Sequence, residues 1–398
     1  MAALFRIDEP LAGAVDQRPS WRAFFAMAFR PFYLLAAVQA GLFVLVWSFG
    51  IGGTRALPGF LWHGHEMIWG YAGAIIVGFL LTAVATWTGQ PPVRGASLAG
   101  LVVVWLLARI ALLAAQDSAL WGGVLSVLFF VSAAVLLAIP VLRTRNVRNY
   151  IVPILLLAFA TANLVFHLAV AGHVALNPRH MLHVGLLIVS TVIFFMGMRV
   201  IAFFTSRALH IPQVVNGRAV SFVAIGAPLA MALLIAIDAP LLPSVVLGFV
   251  GAATNLVQLV RWWHPRVARN PLLWVLFAGY ACTAMGVGLY PFALALWPLL
   301  TSAAIHSIAV GGVGLLTLGM MSRTALGHTG RSLELPQPMT TAFWLVLAAT
   351  GLRLVSTLPF AGAPWVLAAS GVCFAAALAL FVYRFGPWLI RPRADGQG

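Results

Sequence analysis

Trp62-His63-Gly64-His65-Glu66-Met67 opens an apolar run that continues through Ile75, Phe79 and Leu81 to Trp87. At 1.5 Å of rise per residue, such a run is long enough to cross a bilayer as one helix. Two imidazoles and a carboxylate at the mouth of a membrane helix cost several kcal/mol of desolvation unless something binds them. The stretch therefore sets two expectations at once, a membrane fold and a buried polar site.

Composition supports the first. Hydrophobic residues make up 62% of the 398-residue chain and charged residues 8%, with a mean hydropathy of +1.02, whereas soluble proteins carry about 25% charged residues. Apolar runs of about 20 residues recur without strand-like alternation, which predicts an all-α bundle of about twelve transmembrane helices rather than a barrel. The runs fall at 31–50, 62–87, 96–115, 119–142, 150–171, 179–203, 217–237, 240–262, 271–294, 297–321, 339–359 and 363–385. The chain divides into a cytoplasmic N-terminal segment (1–29), a single membrane domain (30–386) and a cytoplasmic tail (387–398). Residues 1–20 are polar and lack a cleavage-type signal pattern. Trp21, Phe24 and Phe25, interleaved with Arg22, read as an interfacial helix. Cys282 and Cys373 lie far apart in apolar runs, which leaves no disulfide framework and no covalent haem attachment motif.

The net charge of +15 does not call for a nucleic-acid partner, because all 23 basic residues are arginines scattered through short loops. Alternate loops and the two ends hold most of them. The opposite loops and their adjoining helix ends hold only Arg55, Arg109, Arg179 and Arg353. Positive charge marks the cytoplasmic side, so both termini are expected there, which requires an even number of spans.

With orientation set, His63, His65, His167, His180, His183 and His306, together with the loop residue His173, all fall in the outer half. His180 and His183 share a helix face, while His63 and His65 do not, and the deeper His65 is favoured to point inward. Taken singly, each reads as a hydrogen-bonded or interfacial side chain; taken together, they point to a metal or haem site. Neutral imidazole suits haem iron or copper, with zinc left open, whereas magnesium and calcium need oxygen ligands. Glu66, the one acid within a span, reads either as the partner that fixes a histidine tautomer or as a proton donor. On the cytoplasmic side, Arg199, Thr205 and Arg207 are expected to face Arg323, His328 and Arg331, with Arg199 binding lipid headgroups or a carboxylate such as a haem propionate.

The chain resembles the NnrS family of bacterial polytopic membrane proteins. The resemblance rests on Phe29-Arg30-Pro31-Phe32-Tyr33-Leu34-Leu35, on Trp62-His63-Gly64-His65-Glu66-Met67 with Gly78-Phe79-Leu80-Leu81-Thr82-Ala83 and Trp87-Thr88-Gly89, and on Arg199-Val200-Ile201-Ala202-Phe203-Phe204-Thr205. It continues through His306 and Thr317-Leu318-Gly319-Met320-Met321-Ser322-Arg323 to Leu326-Gly327-His328-Thr329-Gly330-Arg331. Ala202 stands where the family often has proline, and Ser322 where it has threonine. The resemblance implies an inner-membrane protein carrying haem b and copper that protects against, or processes, nitric oxide with electrons from a quinol or cytochrome. On that basis His65 and His306 are the axial candidates, and His167, His180 and His183 the copper candidates. Arg199, Arg323, His328 and Arg331 are cofactor-binding candidates, His328 as ligand of a second haem. The rival readings are a sensor or scavenger of nitric oxide without turnover, and a transporter of copper, haem or a small anion, the last weakened by the lack of an inverted repeat.

Overall fold

The computed structural model describes residues 18–358 and 364–396, so the expectation for residues 1–17 lies outside it. Twelve helices among these residues are long and apolar enough to cross a membrane. They are α1 (Phe29–Ser48), α2 (Gly59–Thr88), α3 (Gly95–Ala114), α4 (Leu120–Arg143), α5 (Val147–Val170) and α6 (Pro178–Leu209). The remainder are α7 (Arg218–Ala236), α8 (Leu241–Trp262), α9 (Pro271–Leu296), α10 (Pro298–His328), α11 (Gln337–Val355) and α12 (Pro364–Leu389). Helices are the form an apolar chain takes in lipid, because every backbone N–H and C=O must be satisfied without water.

The ends follow local chemistry. Gly89, with φ 66°, takes the left-handed position that stops α2 ahead of Pro91-Pro92. The Asn177 and Asn270 side chains accept from Arg179 N and Leu272 N, each with proline at the first helical position. α6 and α10 outrun their predicted ends, reaching 32 and 31 residues. Their extra turns are polar and carry Arg207, Arg323 and His328, which a hydropathy window excludes.

α2, α6 and α9 are the most enclosed, with 72%, 67% and 67% of their apolar windows buried, against 33% for α7 and α11. The central α2 and α6, with α10 beside them, carry five of the six predicted ligand histidines. α12 packs against both α11 and α1 and closes the bundle. That closure is pinned at one end, where Arg30 Nη1 donates to the carbonyls of Leu389 (3.1 Å) and Arg391 (2.6 Å) and Ser20 N donates to Ile390 O (3.0 Å).

Hydropathy does not anticipate two π-helical stretches, Glu66–Ala72 in α2 and Ser307–Gly314 in α10. Each begins directly after a histidine of the predicted layer, His65 or His306. The wider turn redirects the side chains around it and is frequent at functional sites. α9 packs closely on this region: a Cβ at Gly286 would lie 2.5 Å from Ile308 Cγ1 and 2.8 Å from the Ala304 carbonyl oxygen. Gly286→Ala is expected to destabilise the purified protein by about 1–3 kcal/mol, read as a lowered thermal midpoint in detergent. Gly226→Ala, where nothing lies within 4 Å, leaves the midpoint unchanged.

Candidate cofactor cavity and buried polar cluster

The histidine layer divides into separate sites. His65 and Glu66 are completely buried and face α3 and α5. Glu66 Oε1 lies 2.9 Å from His65 Nδ1, and its Oε2 accepts from Gln39 Nε2 at 3.1 Å. Arg109 Nε lies 3.2 Å from the same Oε2 as an ion pair without directed hydrogen-bond geometry. Arg109 Nη2 also donates to Ser126 Oγ at 3.4 Å. On the other side of the imidazole, His65 Nε2 meets Asn163 Nδ2 at 3.2 Å and His167 Nε2 at 3.1 Å. One cluster thus ties α1, α2, α3, α4 and α5 together.

One set of tautomers satisfies these contacts. With Glu66 ionised opposite Arg109, His65 carries its proton on Nδ1 and donates it to the carboxylate. Its Nε2 then accepts from Asn163 and from His167 Nε2–H, leaving the His167 Nδ1 lone pair buried without a partner. Gly70 makes room for the ion pair, since a Cβ there would lie 2.9 Å from Arg109 Nη1 and 3.0 Å from Glu66 Oε2. His167 also lines a cleft of about 430 Å³ with Asp117, Ser118 and His173.

His63 and His306 instead line a second cavity, between α1, α2, α6, α10, α11 and α12. About 760 Å³ of non-atom space lies within its walls, the open space at its mouth included. His63 stacks on Trp47, with ring centroids 4.9 Å apart and planes at 10°, and its Nδ1 is buried without a partner. His306 Nδ1 lies 2.8 Å from the Ser302 carbonyl oxygen and donates to it, which leaves the Nε2 lone pair free. Arg353 lines the same cavity and donates to Ser302 Oγ and Ser356 Oγ, both at 2.9 Å. Among the described residues no carboxylate pairs with it.

The expected pair of His65 and His306 is therefore not brought together. His65 lies with His167, and it is His63 that shares the cavity with His306; depth was a poor guide, because the two α2 histidines leave the helix on different faces. His180 Nδ1 lies 3.8 Å from Asp238 Oδ1 and His183 Nδ1 2.8 Å from the Tyr290 hydroxyl, so neither joins His167. Among the described residues no three His, Cys, Asp or Glu side chains come together to hold a metal. Arg109, Gln39 and Arg353 escaped sequence reading, although the two arginines carried a signal: both sit against the charge asymmetry of the loops.

The expected cytoplasmic cluster is met at one point, where Arg323 of α10 reaches Phe204 of α6, beside Thr205, and its other members have separate partners. Arg199 donates to Asn149 Oδ1 (2.5 Å) and Arg148 O (2.8 Å) and lies over Phe195. Arg323 stacks over Phe204, its Cζ 3.8 Å from the ring centre. His328 packs on Phe29, and Arg331 and Arg384 each lie 4.2 Å from the Trp388 ring centre. Burial and the nearby Arg384 and Arg391 push the Arg331 guanidinium below its usual value.

Removing one partner of a buried ion pair leaves the other charge uncompensated, at about 3–5 kcal/mol. Glu66→Gln and Arg109→Met alone are each expected to lower stability by that order, and the double variant to recover much of the loss. Thermal unfolding of the four proteins in detergent measures the coupling.

No curated protein matches the chain. The family model described as NnrS protein matches residues 23–393, which takes in all twelve helices with both histidine sites. The chain belongs to the NnrS family.

Proposed function

We propose that the protein is a multi-pass membrane protein of nitric oxide metabolism or tolerance, with both ends cytoplasmic, that holds a b-type haem in the His63–His306 cavity. The observation that carries this is His306: its Nδ1–H is tied to a carbonyl and its Nε2 is free, which is the arrangement of metal-ligating histidines. The residues fit the group. His306 would be the iron donor, with His63 lining the same cavity as a neighbour of the bound gas, and Arg353 has donors and, among the described residues, no acid partner, which suits it to hold a propionate. The haem supplies an iron at which nitric oxide binds. Copper fits less well, because His65 and His167 bond to each other and, among the described residues, lack a third donor.

Binding without turnover is the function best supported. The second reading is reduction, in which two nitric oxide molecules, two protons and two electrons from a quinol or cytochrome give nitrous oxide and water. It is favoured by the hydrogen-bonded chain from the Asp117 and His173 cleft through His167 and His65 to Glu66. The neighbouring residue, Met67, lines the His306 cavity.

Protein purified from haem-replete cells is expected to show a haem absorption band that shifts when nitric oxide is added to the reduced form. His306→Ala abolishes the band, Arg353→Met weakens haem retention, and His65→Ala leaves the band in place. A colourless wild type, or a band unaffected by His306→Ala, rejects the assignment. Anaerobic headspace analysis then separates the two readings, with nitrous oxide above background indicating turnover.

A further inference from the structure

The seam between α2, α6 and α10 contains a second cavity, towards the opposite end of the bundle from His306. It is lined by Ile75 and Phe79 of α2, Ile193 and Met196 of α6, and Leu316 and Met320 of α10. About 620 Å³ of non-atom space lies between its walls, the open space at its mouth included. Its lining follows the His306 cavity in register, for Tyr71 of α2, Val189 of α6 and Val313 of α10 line that cavity, and Ile75, Val192 and Leu316 line this one. Between the two stands a hydrogen bond of 2.7 Å from the Tyr71 hydroxyl to Thr317 Oγ1. Thr317 donates its own proton to Val313 O at 2.7 Å, so Tyr71 is the donor. Tyr71 is in the last turn of the first π-helical stretch, and Thr317 lies three residues past the end of the second.

We propose that this inner chamber is a second binding site, selective for small, uncharged, apolar molecules of the diatomic gas class. The argument is from what the walls offer. Apart from the hydroxyls of Tyr33 and Thr317, every lining residue is aliphatic, aromatic, methionine or glycine. A charged ligand finds no counter-ion there, and burying an unpaired polar group costs several kcal/mol. A water molecule needs two to four polar partners to stay; the Thr317 proton is already spent on its own helix, and the Tyr33 hydroxyl, buried without a bonded partner, offers one. Apolar cavities of this kind stay dry and take up xenon. The His306 cavity, with imidazoles and a guanidinium, has the opposite chemistry, so one seam holds a polar chamber and an apolar one in line.

The inference rests on the proposed function only for the identity of the natural ligand, nitric oxide; the chamber itself does not depend on haem. Xenon is the probe. Crystals of the full chain under xenon pressure are expected to show anomalous density between Ile75, Ile193 and Leu316 in the wild type, and to lose it in Ile193→Phe, or in Met196→Phe should the first variant not fold. No xenon in the wild-type chamber, ordered water or a lipid acyl chain filling it, or xenon retained there in the filled variant would overturn the proposal. A haem-free preparation that binds xenon upholds the chamber while rejecting the haem site, so the two failures are told apart.

Discussion

A carboxylate that no solvent reaches sets the terms for the first five helices. Glu66 is held by Arg109 from α3, Gln39 from α1 and His65 from its own helix, and through His65 by Asn163 and His167 of α5. Without Arg109 the charge would be too costly to keep at that depth, and without Glu66 the guanidinium would be. The pair cancels, and the cluster is neutral as a unit. By fixing α2 against α3 and α5, it turns His65 away from α10 and leaves His63 on the cavity side. The charge at Arg353 is not cancelled in this way, and this difference is what separates a structural polar cluster from a site with room for an anion.

The four arginines that break the loop asymmetry each have an engagement. Arg109 pairs with Glu66 and Arg353 lines the cavity. Arg179 lies over the Phe60 ring at 4.4 Å, and Arg55 sits 4.0 Å from Asp117. The last two are at helix ends or in loops, where such contacts contribute little. The two inside spans are the ones that organise polar sites. A charge placed against the topology rule is held there by a partner or a task, and both kinds are present.

The twelve helices were legible because lipid imposes a length and a composition that hydropathy measures directly; predicted and observed ends agree within a few residues except where α6 and α10 continue into polar turns. The partnership of the histidines was not. Which of His63 and His65 faces α10 depends on the rotation of α2, on the π-helical turn after Glu66 and on the pull of Arg109, and none of these leaves a periodic mark. Of the arginines expected on the cytoplasmic side, Arg323 does reach the α6 segment, at Phe204, while Arg199 turns to Asn149 and Arg331 to Trp388, an outcome decided by local packing.

Arg30 carries a consequence for assembly. It is 3% exposed, and its carbonyl acceptors at Leu389 and Arg391 follow 359 and 361 residues later in synthesis. While the chain is still emerging, the guanidinium at the head of α1 has no mate at that place. The first helix can settle on the second through Gln39 and the Phe29 amide, but the guanidinium at its head is sealed only when the twelfth arrives.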